Sequence, residues 1–189
     1  MRYILASKSP RRKELMKSIS SDFDIAVENI DEESSYLLSP VEAVKDIAKR
    51  KGEAVDKLYP NDLIISADTI VVLDNQIIGK PKDKKDAIKI LAALSNKSHY
   101  VYTAYRIKYL NKEIVNIVES EVVFNKLDSD LINEYVDSGS PLDKAGAYGV
   151  QDNNQYPIIK KVIGSYDNVV GFPVKEIKED IKKIISSCD

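Results

Sequence analysis

Apolar and polar positions along this chain change their period several times, and each change marks an element. The densest apolar run covers residues 64–73, reading I-I-S-A-D-T-I-V-V-L. A nearly continuous Ile/Val run predicts a strand covered on both faces. Period-2 geometry puts Ser66, Asp68 and Ile70 on one face and Ala67, Thr69 and Val71 on the other. Upstream, residues 3–6 read as a short strand. Ser9-Pro10 then supplies an N-cap followed by Pro at the first helical position. The helix it opens, over about residues 10–19, buries Leu15, Met16 and Ile19. Residues 23–27 alternate as a second strand, and residues 28–33 are an acidic loop. Ser39-Pro40-Val41-Glu42 is a capping box that opens a long helix to about Leu58. Its apolar face carries Val41, Val44, Ile47, Ala48, Val55 and Leu58.

Downstream of the apolar run, Asp74-Asn75 is a hairpin turn, so residues 76–78 pair back on the preceding strand. Gly79-Lys80-Pro81 breaks the pattern, and Asp83 caps a helix to about Leu94. Residues 100–109 and 114–124 flank a loop at 110–113 as a long β-hairpin. Residues 128–138 form a short helix, 139–151 are rich in Gly and turn residues, and 158–163 form a strand. A loop at 164–168 leads to a last amphipathic helix over 173–187, which uses Val174, Ile177, Ile181 and Ile184. Helices and strands alternate through the first half while the hairpin adds antiparallel pairing. That combination predicts an α/β fold with a mixed, twisted sheet flanked by helices. The 189 residues contain no repeat and no linker long enough to separate independent domains, so a single domain over residues 1–189 is expected.

Composition narrows the class. A formal charge of −2, from 28 basic and 30 acidic side chains, argues against non-specific affinity for nucleic acid. The single cysteine, Cys188, permits no intrachain disulfide and suits a reducing compartment. The N-terminal apolar run is too short for a signal peptide, and no apolar run reaches the roughly 18 residues of a membrane span. A soluble, globular, cytoplasmic protein with no membrane partner is expected.

Candidate chemistry begins with Asp68, because a carboxylate inside a buried strand is costly unless paired. Two readings stay open for it: a solvated or salt-bridged bend, or a carboxylate facing a polar cavity where it does chemistry. The turn Ala6-Ser7-Lys8-Ser9-Pro10-Arg11-Arg12 lies between a strand and a helix start. Two hydroxyls and two guanidinium forks in one turn suit phosphate oxygens. The alternative is an ordinary N-cap whose arginines are solvated, but basic residues in a first helical turn oppose the helix dipole, and that mismatch needs a reason. Lys80 sits in G-K-P, where antiparallel pairing could return it close to the end of the Asp68 strand. Glu32, in the acidic loop, could share a divalent metal with Asp68, since hard oxygen ligands suit Mg²⁺ or Mn²⁺ bridging phosphates. Lys51 lies on a lysine-rich helix and is barely marked by the sequence. Neither G-x-x-x-x-G-K-[ST] nor G-x-G-x-x-G occurs. C-x-x-C is absent too, and a lone His99 disfavours zinc and His-based triads, so His99 reads as structural.

Five segments together resemble the Maf family, in the family's order and over nearly the whole chain. They are L-A-S-K-S-P-R-R-K-E-L at 5–15, S-A-D-T-I-V-V-L at 66–73, G-K-P-K-D at 79–83, D-K-A-G-A-Y-G-V-Q at 143–151 and G-S-Y-D-N-V-V-G-F-P at 164–173. The resemblance implies an elongated, two-lobed fold with a central cleft, similar to that of inosine triphosphate pyrophosphatases, and a homodimer. It implies hydrolysis of nucleoside triphosphates between the α- and β-phosphates, giving a nucleoside monophosphate and pyrophosphate with a divalent cation (Mg²⁺, Mn²⁺ or Co²⁺). Carried over residue by residue, the catalytic acid falls on Asp68. The phosphate-binding serine and arginines fall on Ser7, Arg11 and Arg12, and the cleft lysines on Lys51 and Lys80. The acidic metal-site residue falls on Glu32, with Asp31 and Glu33 as alternatives. Positions tied to substrate choice fall on Arg11, Thr69 and Gln151. The D-K-A-G-A-Y-G-V-Q form resembles members acting on dTTP and UTP, and modified pyrimidine triphosphates join them as expected substrates. Ser66, Ser140, Gly52 and Phe172 stand where Gly, Glu, Ala and Leu are usual. The competing reading is a nucleotide-binding regulator of septum formation and cell division without essential turnover.

Overall fold

The computed structural model describes residues 1–188. Its frame is three parallel strands: β1 (Tyr3–Leu5) lies between β2 (Asp24–Ile25) and β3 (Leu63–Leu73), with Ile4 opposite Asp24 and Tyr3 opposite Leu63. Parallel neighbours need crossover connections, and helices supply them. These are α1 (Pro10–Met16) after β1 and α2 (Pro40–Asp56) before β3. The expected caps are present. Ser9 accepts the Arg12 N–H, and the Glu42 carboxylate accepts from Ser39 N at 3.3 Å and Ser39 Oγ at 2.6 Å.

β4 (Gln76–Ile78) turns back antiparallel on β3, with Val71 opposite Ile78. Asp74 and Asn75 both take positive φ, as a tight hairpin turn demands. Then follow α3 (Lys84–Leu94), β5 (Ser98–Tyr109), β6 (Lys112–Phe124) and α4 (Ser129–Asp137). Three short 3₁₀ turns, β7 (Ile159–Ile163), α5 (Tyr166–Val170) and α6 (Val174–Ser186) complete the chain. The strands pair in the order β2-β1-β3-β5-β6-β7, with β4 beside β3, a mixed sheet as the alternation of elements predicts.

The described residues divide into two compact units, and β3, β5 and β6 contribute residues to both. The first comprises Met1–Asp68, Thr103–Val118 and the chain from Gly171 onward. In it β3 is covered on both faces. Leu63, Ile65 and Ala67 share a core with Leu5, Tyr105, Phe172 and the α6 residues Ile177, Ile181 and Ile184. Ile64 packs with Ile4, Ala6, Ala26 and Val55 of α2. Asp68 therefore projects on the α2 side by strand parity. The second unit, Thr69–Tyr102 and Glu119–Val170, is built around Leu91, Leu94, Phe124, Tyr135, Tyr148 and Ile158.

Three sequence expectations need correction. Helix α2 ends at Asp56, so Leu58 falls beyond it and is 60% exposed, outside the buried face. Val41, at the first turn, is 37% exposed because it precedes the packed stretch that starts at Ala43. The expected loop at 164–168 instead runs into the short helix α5, whose Asn168 is fully buried and donates to Val101 O at 3.1 Å and Ser120 Oγ at 2.9 Å. Those long-range bonds, rather than any apolar period, hold that turn.

Candidate active site

Helix α2 is drawn onto β3 by one buried bond, from Ser66 Oγ to Ala48 O at 2.6 Å. Lys51 lies three residues past Ala48, and Asp68 two residues past Ser66. Lys51, within one helical turn of Ala48, thereby comes within side-chain reach of Asp68, which lies on the same face of β3 as Ser66. Lys51 Nζ lies 2.6 Å from Asp68 Oδ1 and 2.9 Å from Glu32 Oε1. Glu32 reaches it from the residue preceding the 3₁₀ turn Glu33–Leu37. That turn is anchored to α2, because Ser35 Oγ donates to Asp46 Oδ2 at 2.7 Å and accepts from Arg50 Nη1 at 3.1 Å.

The Asp68 side chain is 11% exposed. Burial pushes its carboxyl above the usual range, the charges of Lys51 and Arg12 draw it back down, and Glu32 adds to the rise. Arg12 is positioned by Nε donating to Gly171 O at 2.9 Å and Nη1 to Ser7 Oγ at 3.3 Å. Burial, opposed by Asp68 and reinforced by Arg11, holds that guanidinium below its usual value. Ser7, itself buried, also accepts from Ser9 N at 3.2 Å. The first unit thus brings together Ser7, Arg11, Arg12, Glu32, Lys51 and Asp68, six of the residues singled out in the sequence. A carboxylate with a raised pKa beside two cations, Lys51 and Arg12, is suited to take a proton beside an anionic substrate.

The second unit carries the other three. Thr69 is half-buried in β3, Lys80 is exposed just after β4, and Gln151 is exposed on the 3₁₀ turn Val150–Asn154. The β3–β4 register, continued past Ile78, runs Lys80 toward Thr69. Gly146 N donates to Gly79 O at 3.0 Å, tying the turn before Lys80 to the segment before Gln151.

Two features escaped the sequence reading. Tyr36 lies on the 3₁₀ turn beside Glu32, and burial with the charges of Asp68 and Glu32 pushes its phenol up to about 12. Nothing in the sequence distinguishes it from ten other tyrosines, of the 11 in the chain. Lys144 is buried, although lysine is among the least buried residue types. His99 does prove structural: Nε2 meets Tyr148 OH at 2.7 Å inside an aromatic cluster with Phe124.

Among the described residues, no three His, Cys, Asp or Glu side chains gather as a metal-ligand set. Asp68 and Glu32 nevertheless converge on one cation, the Lys51 ammonium. A pair of carboxylates fits a hard divalent ion that completes its shell with phosphate oxygens and water.

The sequence profile of the family described as Maf-like protein matches residues 2–184. The dTTP/UTP pyrophosphatase of Fusobacterium nucleatum is 42% identical over 183 residues, covering 96% of this chain and 94% of that protein. The dTTP/UTP pyrophosphatase of Clostridium botulinum strain Alaska E43 is 40% identical over 189 residues, covering 98% and 100%. Among solved structures, the Ham1 protein of Staphylococcus aureus superposes with a TM-score of 0.57 at 11% identity, over 97% of this chain and 99% of that one, a likeness of fold alone.

Proposed function

The chain belongs to the Maf-like protein family, and we propose that it is a nucleoside triphosphate pyrophosphatase acting on dTTP and UTP. Relatives of that name, matching nearly end to end, support the reading. The observation that carries it is Asp68, a buried carboxylate with a raised pKa, held 2.6 Å from Lys51. In this reading Ser7, Arg11 and Arg12 hold phosphate oxygens, and Lys51 and Lys80 neutralise the charge that builds on them. Asp68 accepts a proton from the attacking water as its oxygen bonds to the α-phosphorus. The bond from that phosphorus to the α–β bridging oxygen breaks, and pyrophosphate leaves with the electron pair. Glu32 and Asp68 would hold a divalent cation (Mg²⁺, Mn²⁺ or Co²⁺), which supplies Lewis-acid stabilisation of phosphate charge when bound. Gln151 carries a donor and an acceptor on one amide and so suits the uracil or thymine edge, with Arg11 and Thr69 assisting substrate choice.

Cytoplasmic location, a homodimeric state and action on modified pyrimidine triphosphates belong to the same proposal. Among the described residues, no helix is long and apolar enough to cross a membrane. Asp68→Asn tests the proposal. Turnover of UTP should fall by about 10²-fold or more while nucleotide binding, followed by calorimetry, persists. A variant that keeps wild-type turnover would overturn the assignment.

A further inference from the structure

Gln151 is exposed, yet the chain on either side of it is pinned. Gly149 N donates to Tyr135 OH at 2.9 Å, and Tyr135 OH donates to Asp152 Oδ2 at 2.7 Å, so one buried hydroxyl bridges Gly149 and Asp152, which bracket Val150-Gln151. Asp152 Oδ2 also accepts from Ser140 Oγ at 2.8 Å. Beneath this turn lies Lys144, whose side chain is 10% exposed. Its ammonium donates to the Ser140 carbonyl, to Ser140 Oγ at 3.1 Å and to Asp143 Oδ1 at 3.0 Å, and lies 3.9 Å from Asp152 Oδ2. All three ammonium donors are therefore used. The packing is close. A Cβ added to Gly149 would stand 2.8 Å from Lys144 Cε, 2.9 Å from Asp152 Oδ2 and 3.1 Å from Gln151 Nε2.

We propose that Lys144, acting through Ser140 and Asp152, is a positioning residue for base selection: it fixes the turn that presents the Gln151 amide to a pyrimidine base in one orientation. This rests on the reading of Gln151 as the base-contacting residue. Burying an ammonium is costly unless every donor is satisfied. Here the donors go to Ser140 and Asp143, and Ser140 Oγ in turn donates to the Asp152 carboxylate, so the clip acts on the turn itself. Amide orientation matters chemically. A keto–NH edge, as in uracil, needs one donor and one acceptor in a set order, whereas the amino–N edge of cytosine needs the reverse.

The test compares kcat and KM for UTP and CTP in wild type, Lys144→Met, Lys144→Arg, Ser140→Ala and Gln151→Ala. Lys144→Met should lose about tenfold of the UTP-over-CTP preference, through KM for UTP, with kcat changed only a few-fold. Lys144→Arg should restore most of the preference, and Ser140→Ala should lose a few-fold. If Gln151→Ala loses the preference while Lys144→Met keeps it, the positioning role is overturned and the reading of Gln151 stands. If Gln151→Ala keeps the preference, the reading of Gln151 itself fails, and the inference with it. Should Lys144→Met not fold by circular dichroism, Ser140→Ala decides, and an unchanged preference there overturns the proposal.

Discussion

Lys51→Met isolates the electrostatics of the site. Methionine keeps the apolar stem of the lysine and deletes its charge, leaving Asp68 and Glu32 facing one another with their shared cation gone. An exposed ion pair is worth about 0–1 kcal/mol, while removing one partner of a fully buried pair costs about 3–5 kcal/mol. The Lys51–Asp68 contact, with side chains 21% and 11% exposed, lies toward the buried limit. Glu32, at 40%, is screened by solvent and adds little. A loss of about 2 kcal/mol at pH 7 is expected from urea unfolding, with an unchanged denaturant slope. The loss should depend on pH. Lys51 draws the Asp68 carboxyl down, so deleting it raises an already raised pKa further. A raised folded-state value means the protonated form is favoured by folding; stability is present at low pH and is lost as pH rises through that value. The gap between variant and wild type should therefore narrow in acid. In Lys51→Met/Asp68→Asn most of the penalty should vanish, giving a coupling energy of about 1.5 kcal/mol. A Lys51→Met protein within about 0.5 kcal/mol of wild type at pH 7, or a coupling energy near zero, would refute this account of the site.

Gly52→Ala should destabilise the protein by about 1–3 kcal/mol in the same assay. The added methyl would stand 2.6 Å from Arg106 Nη1 and 2.7 Å from Ser66 Oγ, and Arg106 cannot swing aside because it pairs bidentately with Asp56 at 2.9 and 2.7 Å. His99 should mark an acid limit. Burial lowers its pKa to about 4 from the usual 6.5, so the stability it contributes is present above pH 6.5 and drains away as pH falls toward 4. That window corresponds to roughly 3 kcal/mol, and His99→Asn should remove that part of the acid loss in unfolding measured from pH 7 to 4.

The sequence disclosed most where one local cause fixes one local structure. β3 was legible because a strand closed on both faces must be apolar throughout, and the Ser9-Pro10 and Asp83 caps were legible because their chemistry acts within a turn. Leu58 continued the helical period of α2 past a helix that had already ended, since period alone does not register where hydrogen bonding stops. The site divides along the same line. Asp68 stood out as a carboxylate in the wrong setting. Lys51 did not, because Lys45 and Lys49 share its helix, Lys57 follows it directly, and only the Ser66–Ala48 contact decides which lysine meets the carboxylate. Arg12 was legible as a charge, but its anchor at Gly171 lies 159 residues away. Tyr36 takes its significance from Asp68 on another element, and Lys144 from a turn that folds Ser140 and Asp152 back onto it, which no hydrophobic period records.

The proposed reaction cuts the bond between the α- and β-phosphates. Incubating the purified protein with UTP and Mg²⁺ and resolving the products by anion exchange tests it most directly. Equal amounts of UMP and pyrophosphate, with both products lost together in Asp68→Asn, are the result expected. Release of UDP with orthophosphate, or tight UTP binding with neither product formed, would contradict it.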